Sequence, residues 1–323
     1  PHPPPPPPLF HDPATTEIYT HPLSSAASDV YKRQRMFSMT ACRAFVLMAA
    51  FLGLWGCASG HQQTFSSGPP PIRNPESIAT RLRSAVASSP AFTMKSIGQI
   101  RYGLFAAPVW LLQFSNSTAE APRILLTGGV HGNEPAGVES AVRLIERLAD
   151  NPNLMPACRL EIIPMVNPWG WSHDVRFNRE GLDVNRDFAS FNSQEAGIIR
   201  AYLQRNPYDL MVDLHEDPAA RGFYMYQYGR PDKSILAPII SAVDAMGYPI
   251  EQDVKMVTLR TRNGIIDAPM WGLWYMKLTR QLSLSNYGRF YNSPNVFTIE
   301  TPTTMDWEDR MRMQQCALDM LFD

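Results

Sequence analysis

Positive and negative side chains nearly cancel in this chain: 29 Lys and Arg stand against 30 Asp and Glu in 323 residues, a formal net charge of -1. That balance lacks the basic excess of a nucleic-acid binder or of a polybasic membrane-surface protein. Cysteine is scarce, with four in all, and Cys42 and Cys57 belong to the front of the chain. The remaining two, Cys158 and Cys316, could form at most one disulfide, and a bridge or two buried thiols fit equally well. The apolar run Ala44 to Trp55 is too short to span a bilayer. No internal repeat is present. What remains is an ordinary globular composition, 45% hydrophobic.

The front of the chain reads as four segments. Pro1 to Pro8 is nearly all proline and cannot build a packed core. Ser24 to Gln34 resembles a translated sequencing adapter, so residues 1–35 are expected to be a non-native or disordered leader. Residues 36–57 have the layout of a signal peptide: Arg43 supplies a positive charge and Ala44 to Trp55 an apolar core. The segment ends in Leu54-Trp55-Gly56-Cys57, which resembles the lipobox of bacterial lipoproteins, with Cys57 as the lipidated residue. A simple secretory signal or a buried helix are the alternatives. Residues 58–74 are rich in Gly, Ser, Gln and Pro, as a flexible tether would be. This layout predicts a bacterial envelope protein, lipid-anchored on the periplasmic side of the outer membrane.

From residue 75 to 323 the chain alternates strand-like and helix-like segments. Helices are predicted over 75–87, 135–149, 194–204, 234–246 and 307–321. Strands are predicted over 93–102 and 109–114 (a hairpin), then 123–128, 160–166, 210–214, 223–228 and 296–299. Such alternation predicts an α/β fold: a single domain with a mixed, largely parallel sheet and helices on both faces.

Three of the strands end in ligand-type residues. His131 and Glu134 follow Ile124-Leu125-Leu126, His215 follows Leu210 to Leu214, and Glu300 follows Val296 to Ile299. Groups that bind ligands gather at the carboxyl ends of parallel strands. Two imidazoles and one carboxylate leave a zinc ion one open position for a water. A further glutamate at a strand end, Glu300, is the proton acceptor that such a water needs. One Zn2+ held by His131, Glu134 and His215 is therefore expected. His2, His11, His21 and His61 lie in the leader or tether, and His173 in an exposed polar loop, so none of these is expected to be a ligand.

Further motifs fall in order along the chain: Gly128 to Pro135, Asn167-Pro168-Trp169-Gly170, Arg176 to Phe188, Asp213-Leu214-His215 and Glu300-Thr301-Pro302. Together, over roughly residues 95 to 320, they resemble the zinc carboxypeptidase family. The short form is similar to its bacterial murein-peptide amidase and succinylglutamate desuccinylase/aspartoacylase branches. The resemblance implies a zinc carboxypeptidase-like fold and gives roles to individual residues. Glu300 would be general base and then general acid. Arg176 would face the carbonyl oxygen, unless it is a surface arginine. Asn185 and Arg186 would grip a free carboxylate, unless Arg186 pairs with Asp183 or Asp187. Asp183 would orient a zinc-bound imidazole. Tyr287 would be the tyrosine near the catalytic glutamate, with Tyr275 and Tyr291 as alternatives.

Several residues stay open. Glu216 and Asp217 could recognise a substrate amine, be solvated, or tune the metal through its ligands. Asp187 stands where many relatives carry Asn and would alter charge near the carboxylate clamp. Asn167 is expected to shape a turn. The expected function is hydrolysis of a peptide or amide bond in a short substrate with a free carboxylate. The alternatives are an N-acyl amino acid deacylase and a non-catalytic peptide-binding lipoprotein. The side-chain pocket would come from residues 231–286, which carry no recognisable motif.

Overall fold

A computed structural model of the chain describes residues 72–116, 120–229, 235–252, 255–256 and 259–322. The leader, the signal segment with Cys57, and the tether up to residue 71 lie outside the described residues. Helix α1, Pro75–Ser88, starts at Asn74, whose side-chain oxygen accepts from the Glu76 N–H at 3.0 Å. That contact satisfies one of the unpaired donors at a helix start. Strands β1, Phe92–Tyr102, and β2, Phe105–Ser115, form the expected hairpin.

Next come β3, Arg123–Gly128, helix α2, Pro135–Asp150, and β4, Arg159–Ile163. Helix α3, Pro168–His173, precedes α4, Gln194–Leu203. Strands β5, Leu210–Asp217, and β6, Tyr224–Tyr228, lead to α5, Leu236–Ala245. Two short strands, β7, Lys255–Met256, and β8, Leu259–Arg260, pair with each other in a separate two-stranded sheet. The chain closes with β9, Ile265–Ala268, α6, Met270–Leu278, α7, Leu284–Tyr291, β10, Asn295–Pro302, and α8, Trp307–Phe322.

Eight strands form one sheet in the order β1-β2-β4-β3-β5-β10-β6-β9. The central four, β4, β3, β5 and β10, run parallel, while β2 on β4 and β6 on β10 are antiparallel. The α/β fold with a mixed, largely parallel sheet is thus present, and both faces are covered. On one face α1, α2, α5 and α8 pack over Leu126, Val212, Leu214, Phe297 and Ile299. On the other, α4 and α7 pack over Leu125, Met211 and Val296.

The two-residue period of a strand decides what happens at the carboxyl end of this sheet. Along β5, Val212 and Leu214 enter the first core and Met211 the second. Asp213, His215 and Asp217 therefore share the Met211 face. By the same count Thr298 and Glu300 share the Val296 face of β10. Register aligns the two rows, because Glu300 pairs with His215 and Thr298 with Asp213. At this end of β5 and β10 the strand side chains on the shared face become polar.

Where elements differ from expectation, the causes are local. The predicted strand 160–166 ends at Ile163 because Pro164 has no N–H for a ladder. Beyond it, the Val166 and Asn167 N–H groups donate to Gly128 O and Gly129 O at 3.0 and 2.9 Å. Strands β5 and β10 run past 214 and 299 through their charged ends. Helices α3, α6 and α7 and strand β9 had no sequence expectation. Cys158 and Cys316 do not form a disulfide.

One buried acid ties the amino end of the sheet together. Glu161 accepts from Tyr202 Oη at 2.6 Å, Gln113 Nε2 at 2.9 Å and Arg123 Nη2 at 3.3 Å, and also from the Tyr208 hydroxyl. Burial alone would raise its carboxyl, but these donors and the Arg123 charge outweigh burial and hold it below the ordinary range. A lowered folded-state value stabilises the protein above the unfolded value of about 4.3, and that stabilisation is lost as pH falls through the folded value. The stability of Glu161→Gln should therefore fall less steeply below about pH 5 than that of the parent. Parallel pH profiles in urea unfolding would rule the linkage out.

Candidate functional site

The site begins in a tight loop after β3. Gly129 has φ +63°, a left-handed conformation open to glycine, and turns the chain out of the sheet. Gly132 lies so close to the turn at Gly170 that a Cβ there would fall 1.9 Å from the Gly170 carbonyl carbon. Asn167 braces that turn, its Oδ1 accepting from the Gly170 N–H at 2.9 Å. His131 is thus aimed by backbone packing, and Glu134 stands directly before Pro135 at the start of α2.

His131, Glu134 and His215 converge and are all buried, with ligand-type atoms within 4.8 Å of one another. Glu134 lies between the two rings, with Oε1 2.6 Å from His131 Nδ1 and Oε2 2.7 Å from His215 Nδ1. The opposite nitrogens face aspartates. His131 Nε2 is 3.2 Å from Asp183 Oδ1, and His215 Nε2 is 2.9 Å from Asp213 Oδ2. An ionised carboxylate only accepts, so a neutral ring that donates through Nε2 to its aspartate leaves its Nδ1 without a proton. Both Nδ1 lone pairs then point at the Glu134 oxygens, acceptor against acceptor. A cation shared by the three side chains, or two extra protons, resolves that conflict, and two imidazoles plus a carboxylate are a zinc-type donor set.

The charges respond accordingly. Burial opposes the ionised form of Glu134, but the His131 and His215 charges hold its carboxyl well below the usual range. Burial would lower His215, yet the Asp213 and Glu134 charges raise it well above an ordinary imidazole. Glu300 moves the other way. Burial raises its carboxyl well above the usual value; His215 opposes this, and repulsion from Glu134, Asp217 and Asp213 reinforces it. A divalent cation in the cluster would favour ionised Glu300 and deprotonated His215.

Arg176 is brought to the cluster rather than left on the surface. Its Nε and Nη2 each lie 3.0 Å from Asp183 Oδ2, and its Nη1 lies 3.3 Å from His131 Nδ1 and 3.5 Å from Glu134 Oε1. Asp183 also accepts from the Asn185 N–H at 3.0 Å. Despite burial, the charges of His131, Arg176 and Arg186 hold its carboxyl well below the usual range. Asn185 sits 3.4 Å from His215 Nε2, and its Oδ1 accepts from the Leu284 N–H at 2.9 Å. Arg186 donates to Asn185 O at 2.8 Å. Asp187 turns away from this group and accepts from Ser193 N and Oγ at 2.7 and 2.8 Å, in front of α4.

Tyr287 is not among the residues brought together. Its ring packs on Phe191 at 5.5 Å and Tyr291 at 4.8 Å, and its hydroxyl is directed at Arg200. The tyrosines beside Glu300 are on β6, where Tyr224 pairs with Glu300 and Tyr226 with Thr298. Burial first and Glu300 second raise the hydroxyl pKa of both. Alternating tyrosines were visible in the sequence, but nothing there showed that β6 lies beside β10.

Glu216 is closed to substrate and to solvent. Its Oε2 accepts from the Ala136 N–H at 2.8 Å and its Oε1 pairs with Arg310 Nη1 at 2.6 Å. The cause is strand period: Glu216 faces the helical side of the sheet, opposite His215. Asp217 stays on the His215 side and accepts from Tyr224 Oη at 2.8 Å. His173 is half-buried at the end of α3, its ring stacked on Trp169 at 4.2 Å, and not exposed in a loop. Asp213, which sequence reasoning left without a role, anchors His215 and accepts from Thr127 Oγ1 at 2.6 Å. Its signal was the i, i+2 spacing to His215 on one strand.

Comparison with known proteins places this site in context. Residues 120–258 match the succinylglutamate desuccinylase/aspartoacylase catalytic domain family. Carboxypeptidase 2 of Trichophyton tonsurans is 34% identical over 125 residues, which are 36% of this chain and 23% of that protein. The chain thus spans about a quarter of that relative's length. In fold, the chain is similar to a candidate metallopeptidase from Shewanella amazonensis, with TM-score 0.64 and 22% identity over 77% of this chain and 92% of the other. It is also similar to a metallo-carboxypeptidase from Burkholderia cenocepacia, with TM-score 0.57 and 17% identity over 77% and 68%.

The Asp213 contact gives a direct test. Asp213→Asn removes the carboxylate that keeps the proton on His215 Nε2, and metal affinity should fall about 10–100-fold with the fold retained. Unchanged affinity in a chelator competition would mean that Asp213 does not set the orientation of His215.

Proposed function

We propose that this chain is a zinc-dependent hydrolase of the carboxypeptidase type, cleaving a peptide or amide bond in a short substrate with a free carboxylate, a reading supported by its likeness to the matched catalytic domain family and to the carboxypeptidases above. The observation that carries this reading is the pairing of Glu300 with His215 on adjacent parallel strands, which sets a carboxylate beside the His131–Glu134–His215 cluster. The bound zinc ion would supply Lewis acidity at that cluster. Glu300 then takes a proton from the attacking water and returns it to the leaving nitrogen, one carboxyl acting as base and then acid. Burial raises its affinity for the proton, which suits the second half of that cycle.

Arg176 reaches the cluster from the side and offers guanidinium N–H groups to a developing negative oxygen. Asp183 holds that guanidinium through two nitrogens, so its direction is set before substrate arrives. Asn185 and Arg186 lie on the next turn and bind the substrate carboxylate, where a planar fork can meet both oxygens. Tyr224 and Tyr226 wall the site beyond Glu300.

A second reading is favoured by the match of residues 120–258 to the succinylglutamate desuccinylase/aspartoacylase catalytic domain family. In that reading the same residues remove an acyl group from an amino acid. Glu300→Gln should lower kcat by about 10²–10⁴-fold in either case while metal binding persists. Full activity in that variant would sink the hydrolase proposal. Side-by-side assay of N-acyl amino acids and short peptides separates the two, since a deacylase pocket should turn over peptides poorly.

The proposal also sets the enzyme in a bacterial envelope, held by lipid on Cys57. Support for this part is the segment Leu54-Trp55-Gly56-Cys57. Labelled fatty acid should enter the protein expressed in a bacterial host and be lost in Cys57→Ser. Label retained after that change would place the lipid elsewhere.

A further inference from the structure

The near-neutral charge of the whole chain conceals a long stretch without an acid. Between Asp267 and Glu300 there is no Asp or Glu, while Lys277, Arg280 and Arg289 fall inside it. This stretch contains α6 and α7. Helix α6 buries a single residue, Leu273. Met270 and Met276 pack beside it, but three other large apolar side chains are left outside: Trp271 is 52% exposed, Trp274 55% and Leu278 77%, with Tyr291 of α7 at 54%. Positions 271, 274 and 278 are spaced i, i+3 and i+7, so they form one stripe along the helix. Large apolar side chains grouped in this way on a surface mark an interaction face.

The chemistry of the face selects its occupant. Lys277 Nζ lies 4.8 Å from the Trp274 ring centroid and 4.9 Å from those of Phe290 and Tyr291, so a cation is held among the rings. Arg280 is exposed just past the end of α6. Tryptophan and tyrosine favour the boundary between water and hydrocarbon, and adjacent Lys and Arg meet lipid phosphates there. A second copy of the chain is a poorer fit. A two-fold contact would set this cationic patch against its own copy, with no acid in the stretch to neutralise Lys277 and Arg280.

We propose that α6 and the end of α7 form a docking face for an anionic phospholipid bilayer. Trp271, Trp274 and Leu278 enter the headgroup boundary, while Lys277 and Arg280 engage phosphate groups. The face needs no acyl group on Cys57 and does not depend on the proposed hydrolysis. It adjoins the substrate-side loop: Phe188 N–H donates to Leu282 O at 3.1 Å, and Leu284 N–H to Asn185 Oδ1 at 2.9 Å. Docking would therefore fix the α6–α7 turn that supports Asn185.

The test reads tryptophan fluorescence of the full chain against phosphatidylglycerol-rich vesicles with brominated acyl chains. All proteins carry Trp55→Phe, so the leader gives no signal. The bromine should quench the parent, and Trp271→Phe/Trp274→Phe should remove most of that quenching. Lys277→Glu/Arg280→Glu should raise the lipid concentration for half-quenching about tenfold or more, and phosphatidylcholine vesicles should do the same to the parent. Circular dichroism confirms that the variants fold; Trp271, Trp274 and Arg280 are exposed and Lys277 is half-buried. The proposal is overturned if the parent is not quenched, if quenching survives the double tryptophan change, or if neutral and anionic vesicles quench equally. Sedimentation showing a dimer that Trp271→Ala/Trp274→Ala dissolves would overturn it in favour of a second copy.

Discussion

Glu134 sits between two imidazole nitrogens that, whenever the rings are neutral and their far sides donate to Asp183 and Asp213, have only lone pairs to show it. Three acceptors in one buried space repel unless a positive charge stands among them. Much of the surrounding architecture can be understood as maintaining that arrangement. Asp213 is itself fixed by Thr127, and Asp183 by Arg176 and the Asn185 backbone. Each ring is held from behind by a carboxylate held by something else. The cluster is therefore set up for a cation before one arrives, and little side-chain freedom remains to be lost on binding.

That preparation is possible because parallel strands deliver side chains at fixed spacing. Thr127 pairs with Asp213, and His215 with Glu300. Three strands thus contribute neighbours on one face without any loop having to find them. A one-residue slip of β10 against β5 would turn Glu300 into the helical core and bring Ile299 to the cleft. Phe297 and Ile299, which pack with Val212 and Leu214 of β5 on the opposite face, make that slip costly, since both would leave their core. Packing on one side of the sheet thereby guards the chemistry on the other.

These relations also explain what could be read from the sequence. His131, Glu134, His215 and Glu300 end apolar strands, and a parallel sheet gathers strand ends, so the cluster was legible. The sheet class and most element bounds followed from the same periodicity. Glu216 stayed open because its neighbours are ligands, and only its strand position, which sends it to the other face, decides against a substrate contact. Helix α6 was invisible for a different reason: Met270, Leu273 and Met276 turn inward while Trp271, Trp274 and Leu278 are exposed, so apolar residues on both faces leave no single stripe to recognise. Tyr287 illustrates the limit of matching a residue by type, since its ring went to Phe191 and Tyr291 while β6 brought other tyrosines beside Glu300. Strand order, which decides that outcome, is a long-range property that no local pattern carries.

Glu216 nevertheless has a consequence for the site. A carboxylate with no contact with water is costly unless its oxygens are fully used. Here one oxygen receives the Ala136 N–H at the start of α2, where the helix end favours negative charge, and the other receives Arg310 from α8. The two helices are thereby pinned to the residue next to His215. Because α2 begins immediately after Glu134, the pin also sets the distance between the second and third members of the cluster. The Glu216 backbone N–H closes the loop by donating to Glu134 Oε2 at 3.1 Å. A residue facing away from the cleft thus holds two of its three cation-binding side chains in place, and a change at Arg310 would reach the site through α2.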